Sequence, residues 1–292
     1  MNTLRHVGID NNLTAEQGLY LEAAVKEAAR RNMKGRMLFG SNVRKIDSGA
    51  QSYKYNKITH GSAAAFDYTY PGKMSLDQID VQPTTVAIPN IHKEFQINKL
   101  DLESSRMSGT PLNTTEAESK TYTVATGEDN LLIQGWSQDG TNYDINGLYQ
   151  SAGNSDATSL NWGTAANIAT SIQNGLALLD ADNINGPFNL SLNSTQYSET
   201  LAVIANTAVT YRQWIKEQIG GQIISSPAMT TGTGMLTPVN PNGAFEYVIA
   251  EPITLKTEVE SVKEGEGLFG RVYVRGLPVV YDANAICKLT DI

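Results

Sequence analysis

Apolar residues near the start of the chain recur at helical spacing, which predicts a long amphipathic helix over residues 14–34. Its apolar face consists of Leu21, Ala24, Val25 and Ala28. Thr14, followed three positions later by Gln17, has the pattern of a capping box, and Gly35 stands where helices commonly end. The pattern is that of a helix with one side packed on a core.

The rest of the chain mixes helical and strand-like patterns. A second long helix is predicted over residues 113–134, and helices and strands alternate over 164–246. Residues 137–162 are rich in Gly, Asn and Ser and are predicted to be a loop between two lobes. Residues 226–243 are polar and are predicted to be a flexible connection, whereas residues 244–292 have mostly a strand pattern. This mixed order indicates an α+β fold.

Residues 41–90 have two strand-like arms around a polar, turn-rich middle. The segment contains the aromatic residues Tyr53, Tyr55, Phe66, Tyr68 and Tyr70. We predict a projecting hairpin, and a lone hairpin has too little core to be stable by itself. Its aromatic residues could stack on bases, but lysines are few and protein interfaces use the same residues. We therefore expect the hairpin to lie on a neighbouring subunit.

Composition narrows the classes of function. The formal net charge is −8, which argues against a general nucleic-acid binder. Charged residues make up 18% of the chain, so this is not a highly charged disordered protein. No apolar run is long enough to span a membrane, and the N-terminus lacks the apolar core of a secretory signal. These features predict a soluble protein that stays in the cytoplasm.

No group of residues predicts catalysis, and the sequence indicates no cofactor-binding or metal-ligating residues. The run from Gly265 to Gly270 fits a phosphate-binding glycine motif only loosely, and a hairpin turn is the better interpretation. Glu128 and Asp129 are adjacent, so a solvated helix edge or an inter-subunit ion pair is favoured over an acid–base pair. Cys287 is predicted to be a buried, inert thiol. We expect a protein that is not an enzyme, with a soluble enzyme as the less favoured alternative.

Several segments resemble one protein family in order along the chain. They are LTAEQGLYLEAAVKEAARRNMKGRMLFG (13–40), IHKEFQINKLDLESSRMSGTPLNTTEAE (91–118), GEDNLLIQG (127–135) with INGLYQ (145–150), and VYVRGLPVVYDANAICKLTD (272–291). Together they resemble the encapsulins, the linocin-type shell proteins. The resemblance implies the Hong Kong 97-type capsid fold that tailed viruses share.

That fold implies a division of the chain. Residues 1–40 would form the N-terminal helix or arm and residues 41–90 the extended loop. Residues 91–140 and 247–292 would form a peripheral domain with a spine helix, and residues 141–246 the axial domain. The implied function is a structural shell protein that self-assembles from many copies into an icosahedral particle.

Two kinds of contents remain open within that function. One is a cargo protein inside a nanocompartment in the cytoplasm, which the resemblance favours. The other is packaged double-stranded DNA, if the chain is a viral major capsid protein and the particle is a virion. The resemblance also implies that the N-terminal helix faces the lumen, and the candidate lumen-facing residues are Leu21, Val25, Arg30, Arg31 and Lys34.

Basic residues are concentrated in a stripe over residues 26–45. The stripe holds Lys26, Arg30, Arg31, Lys34, Arg36, Arg44 and Lys45, against a single acid, Glu27. Such a stripe could face packaged DNA. The favoured interpretation is that these residues cap a helix and pair with acids on a neighbouring subunit.

Overall fold

A computed structural model describes residues 15–32, 34–59, 80–108, 114–138, 143–241, 243–258 and 267–292. The helices are α1 (Ala15–Asn32), α2 (Gly35–Phe39), α3 (Lys99–Ser108), α4 (Thr115–Ile133), α5 (Leu148–Ser151), α6 (Ala166–Ala181), α7 (Ser194–Glu199) and α8 (Tyr211–Ile219). The strands are β1 (Val43–Lys45), β2 (Ser52–Thr59), β3 (Asp80–Ala87), β4 (Asn90–Asn98), β5 (Gly135–Trp136), β6 (Ile145–Asn146), β7 (Asn154–Asp156), β8 (Phe188–Leu192), β9 (Gly220–Ser225), β10 (Thr233–Pro238), β11 (Phe245–Glu258), β12 (Gly267–Val280) and β13 (Cys287–Thr290). Among the described residues, no helix has the length and apolar character needed to cross a membrane.

The chain divides into two compact units. The first contains Met1–Lys34, Pro89–Asp129 and Glu251–Gly276. The second contains Gly35–Ile88, Asn130–Ala250 and Leu277–Ile292. The predicted division into arm, extended loop, peripheral and axial domains stays a prediction.

The first unit is built around α1, α4, β4 and β12. Its buried residues are Leu21, Val25, Phe95, Ile97, Ala117, Val124, Val272 and Val274. Strands β4 and β12 pair antiparallel, and Gly270 lies opposite Phe95. A Cβ at Gly270 would stand 2.3 Å from the Phe95 ring, so packing explains this glycine of the loose motif and phosphate binding is not needed.

The second unit contains a five-stranded sheet with the order β7-β13-β10-β8-β9. Helices α6 and α8 cover one face, where Ile172, Leu190, Ile215 and Leu236 belong to one buried cluster. Helix α8 begins with a capping box between Thr210 and Gln213 and ends at Gly220, whose φ of 67° suits a left-handed cap.

The prediction of a flexible connection over residues 226–243 was wrong. Strand β10 lies in this segment and forms the middle of the five-stranded sheet. Leu236 packs in the cluster with α6 and α8, whereas its neighbour Met235 packs in a second cluster with Phe39 and Phe245. Because both faces of β10 are covered, the strand has no polar alternation that would reveal it.

Other local predictions also needed correction. Residues 137–162, predicted to be a loop, include β6, α5 and β7. Glu128 and Asp129 are 1% and 4% exposed, so they are not a solvated helix edge. Asp129 accepts a hydrogen bond from the backbone N–H of Lys34 at 3.1 Å.

The predicted hairpin is present at its described end. Strands β2 and β3 pair antiparallel from Ser52 opposite Ala87 to Thr59 opposite Asp80. Among the described strands, these two form a sheet with each other alone. The backbone N–H of Ile88 donates to the carbonyl of Gln51 at 2.9 Å, which extends the ladder to the start of the hairpin.

Candidate assembly interface

A small apolar cluster, here called the hairpin root, joins the start of the hairpin to β11 and β12. Its buried members are Ile88, Val248, Leu277 and Val279. Half-buried residues pack against them, including Tyr53, Tyr55 and Val86 of the hairpin and Tyr281 after β12. The rings of Tyr55 and Tyr281 meet edge to face with centroids 5.6 Å apart. The hairpin is therefore anchored by aromatic and aliphatic packing within its own subunit.

A buried carboxylate lies beside the root. Glu246 is 8% exposed, and its Oε2 accepts a hydrogen bond from Nε of Arg44 at 3.0 Å. Its Oε1 accepts hydrogen bonds from the hydroxyls of Tyr53, at 3.1 Å, and Tyr281. Burial, followed by its hydrogen bond to Glu246, raises the pKa of Tyr281 well above its usual value. The hydrogen bond to Glu246 also raises the pKa of Arg44, so Arg44 and Tyr281 both keep their protons.

The predicted hairpin aromatics therefore fall into two groups. Tyr53 and Tyr55 are half buried at the root, where they pack against residues of their own chain. Phe66, Tyr68 and Tyr70 lie outside the described residues. The role of all five residues at a subunit interface stays a prediction.

A groove runs beside the exposed side of α1. It has a volume of about 250 Å³ and is lined by Tyr20, Ala23, Ala24, Glu27, Ala28 and Glu118. Leu19 and Tyr20 are 67% and 48% exposed on α1, and Tyr122 on α4 is 52% exposed. Three alanines give the groove a shallow apolar floor, and the glutamates give it acidic edges. An apolar segment that carries a positive charge would match this surface.

The candidate lumen-facing residues do not share one environment. Leu21 and Val25 are 0% and 2% exposed and pack in the core of the first unit, so the open side of α1 is the opposite one. The backbone of Lys34 is bound to Asp129. Nothing is described of the side chains of Arg30 and Arg31.

Basic residues of the stripe have acidic or aromatic partners within the chain. Lys26 Nζ lies 2.6 Å from the Glu22 carboxylate, one helical turn away. Arg36 lies over the ring of Tyr247 at 5.5 Å, and Arg44 is bound to Glu246. The sequence predicted pairing with acids, but these partners belong to the same subunit.

Sequence reasoning missed Glu246 and Tyr281 in the root and Tyr20 in the lining of the groove. The sequence holds a weak signal for Glu246, because it is a lone acid between Phe245 and Tyr247 in a strand-like run. Cys287 is fully buried, as predicted, and its pKa is raised to about 12, chiefly by burial. Its lack of reactivity stays a prediction. Within the described ranges, no three His, Cys, Asp or Glu side chains are grouped to hold a metal ion.

The fold is that of the Hong Kong 97-type capsid and shell proteins. The chain superposes on a virus-like particle protein from Pyrococcus furiosus with a TM-score of 0.64 and 17% identity, covering 92% of this chain and 97% of that one. The capsid protein of the myovirus XM1 gives a TM-score of 0.64 with 12% identity, covering 86% and 90%. The predicted α+β capsid fold is thereby confirmed.

Sequence relatives narrow that class to one family. A family model described as "Encapsulating protein for peroxidase" matches residues 9–254. A diheme-cytochrome-encapsulin shell fusion protein from Kuenenia stuttgartiensis is 24% identical over 81% of this chain, and the match spans 66% of that protein, just under two thirds. A type 1 encapsulin shell protein from Myxococcus xanthus is 22% identical over 78% of this chain and 77% of its own length. The chain belongs to the encapsulin shell-protein family.

Proposed function

We propose that many copies of this chain assemble into a closed icosahedral shell in the cytoplasm and that the shell encloses a cargo protein. The family match over residues 9–254 is the observation that carries this proposal. The role is structural and not catalytic. The anchored hairpin supports it, because a two-stranded sheet that pairs with no third strand among the described residues gains stability from a surface outside it.

Assembly is tested by purifying the full chain and measuring its size. We expect a particle of megadalton mass by size-exclusion chromatography with light scattering, and closed shells by negative-stain microscopy. A folded monomer as the dominant species would overturn the proposal.

The groove beside α1 is the proposed site for a short cargo segment. Its exposed Tyr20 and alanine floor supply apolar contact, and Glu27 and Glu118 would attract a basic residue of the cargo. A protein content is favoured over packaged DNA because Lys26 and Arg44 of the basic stripe are already paired with acids of their own subunit. Pairing of this kind reduces the positive field that phosphates would need.

The contents are tested by expressing the chain together with the products of its neighbouring genes. We expect shells that carry one such protein and no nuclease-resistant DNA. Ala23→Trp, which fills the groove, is expected to lower the cargo load about tenfold, equivalent to about 1.4 kcal/mol of binding free energy. Lys26→Trp is the matched control, because it adds the same side chain to an exposed position of α1 outside the groove lining. Terminase and portal genes beside this one, or shells filled with DNA, would contradict the cargo proposal.

A further inference from the structure

The Glu246 carboxylate accepts hydrogen bonds from three separate parts of the second unit. Arg44 comes from β1, Tyr53 from the first strand of the hairpin, and Tyr281 from the residue after β12. Glu246 itself is the second residue of β11, and β11 pairs in parallel with β1. One side chain therefore ties the hairpin to two strands of the body at the place where the hairpin begins.

Stability alone does not explain a charge in this place. Removing a carboxylate from water costs several kcal/mol, and a well-packed apolar residue of similar volume commonly stabilises a fold as well or better. Hydrogen bonds differ from apolar packing in being directional, because they weaken steeply when the donor angle changes. A carboxylate with three fixed donors therefore defines an orientation, which the aliphatic residues of the root cannot do by contact alone.

The orientation of the hairpin matters because small rotations at its root are amplified along its length. Each described strand has eight residues, so the described part of the hairpin extends about 26 Å. A tilt of about 10° at the root would move its far end by roughly 4–5 Å, which is the spacing between neighbouring strands. An interface made by the far end would lose its complementarity with such a shift.

We infer that Glu246, with Arg44, Tyr53 and Tyr281, is a positioning device that sets the direction of the extended hairpin and thereby the uniform curvature of the shell. This inference rests on the proposed shell function. In the device, Tyr53 is the one donor that belongs to the hairpin, whereas Arg44 and Tyr281 hold the carboxylate in place from the body.

Tyr53→Phe is the sharpest test, because it removes one hydroxyl and leaves the ring, Arg44 and Tyr281 in place. We expect the variant to lose the single shell diameter of the unchanged protein and to give particles of several diameters or open fragments. The unfolding midpoint of unassembled subunits should change little, since the variant loses only the part-buried hydrogen bonds of one hydroxyl, to Glu246 at 3.1 Å and with Tyr281 at 3.5 Å. Hydrogen exchange should become faster in β2 and β3 and stay unchanged in the five-stranded sheet.

Two variants of Glu246 disturb the cluster in different ways, one through side-chain length and the other through charge. Glu246→Asp keeps the charge but shortens the side chain, and Glu246→Gln keeps the length but loses the charge. If direction is what matters, both give mixed diameters. Glu94→Gln is the control, because it breaks an exposed ion pair with Arg271 in the first unit and leaves the root untouched.

The outcomes are distinct. Failure of the unchanged chain to form shells would reject the proposed function before any variant is compared. Uniform shells of normal diameter from Tyr53→Phe and Glu246→Asp would overturn the positioning role. Mixed diameters accompanied by loss of near-UV circular dichroism in the unassembled subunit would assign the cluster to folding and would also overturn it.

Discussion

The five-stranded sheet and the hairpin root belong to the same unit but are held together in opposite ways. The sheet packs fourteen buried residues in its cluster with α6 and α8, and the cysteine among them is kept neutral by burial. The root has four buried aliphatic residues and adds a charged carboxylate with three polar donors. The sheet is therefore stabilised mainly by apolar burial, whereas the root adds directional hydrogen bonds that orient the hairpin.

This difference follows from the apolar surface area that each region buries. Each fully buried aliphatic side chain contributes about 1.5–3 kcal/mol, so the sheet cluster is self-sufficient. The root has few such residues, and its hairpin needs a further surface to be held along its length. In the proposed shell the two arrangements are complementary, because the sheet is stabilised by its own buried cluster and the hairpin would gain further contacts from a neighbouring subunit.

The largest effect is expected from removing the hairpin altogether. We predict that deleting residues 52–87, with a two-glycine bridge, abolishes shells and leaves a folded subunit. The bridge is short because Ile88 and Gln51 are already joined by a backbone hydrogen bond of 2.9 Å. Chromatography and circular dichroism check both parts, and shells of normal size would show that residues 52–87 are not the extended loop.

The comparison is sharpened by matched truncations in the two regions. Leu236→Ala, on the middle strand of the sheet, is expected to lower the free energy of unfolding by about 2–5 kcal/mol because it leaves a cavity under α6. Val86→Ala, half buried at the root, is expected to cost about 1 kcal/mol. Denaturant titration of unassembled subunits measures both, and equal losses would remove the distinction between the regions.

The sequence predicted helices and strands wherever apolar residues recur among polar ones with a regular period. Leu21 and Val25 mark the buried face of α1, and the alternation of Phe188, Leu190 and Leu192 marks β8. It did not predict β10, because apolar residues on both faces of a short strand between glycines and prolines leave no period to detect. All five residues of β8 are buried, yet the strand is visible because the polar residues Asn189 and Ser191 alternate with its apolar ones. Strand β10 lacks such an alternation.

The candidate sites were harder to predict for a different reason. Glu246 meets Arg44 and Tyr281 from positions 202 and 35 residues away, and only the folded topology brings them together. No local spacing rule applies to such a cluster. The family resemblance predicted the fold as a whole but not the residues that fix the hairpin.

A smaller effect on stability is expected when the pH is raised, and it tests whether the buried cluster of the sheet excludes the charged thiolate of Cys287. The pKa of Cys287 rises from 9.0 to about 12 in the folded protein, so the folded state keeps its proton longer than the unfolded state. Stability from this residue is complete below pH 9 and is lost as the pH rises towards about 12. Cys287→Ala should show a shallower decline of unfolding free energy over that interval. Equal declines in both proteins, or reaction of the native thiol with an alkylating reagent at pH 8, would contradict the dry interior.

The smallest effect is expected for the basic stripe, which shares Arg44 with the hairpin root. Two of the seven positive charges of the stripe are already offset within the subunit, because Arg44 pairs with Glu246 and Lys26 pairs with Glu22. We therefore predict weak binding of duplex DNA to free subunits, with a nearly flat dependence on salt. A triple change of Arg30, Arg31 and Lys34 to Ala should leave that dependence as it is.

Fluorescence anisotropy of labelled duplex DNA across a salt series makes the measurement, with Lys216→Ala on α8 as the control for loss of a surface charge. Each phosphate contact adds ~0.9 to the log–log slope, so contacts by the three changed residues would be resolved as a stepwise loss of slope. A steep slope that the triple change flattens and Lys216→Ala does not would assign the stripe to DNA. Such a result would assign Arg30, Arg31 and Lys34 to DNA contact and leave Arg44, which is bound to Glu246, to the hairpin root.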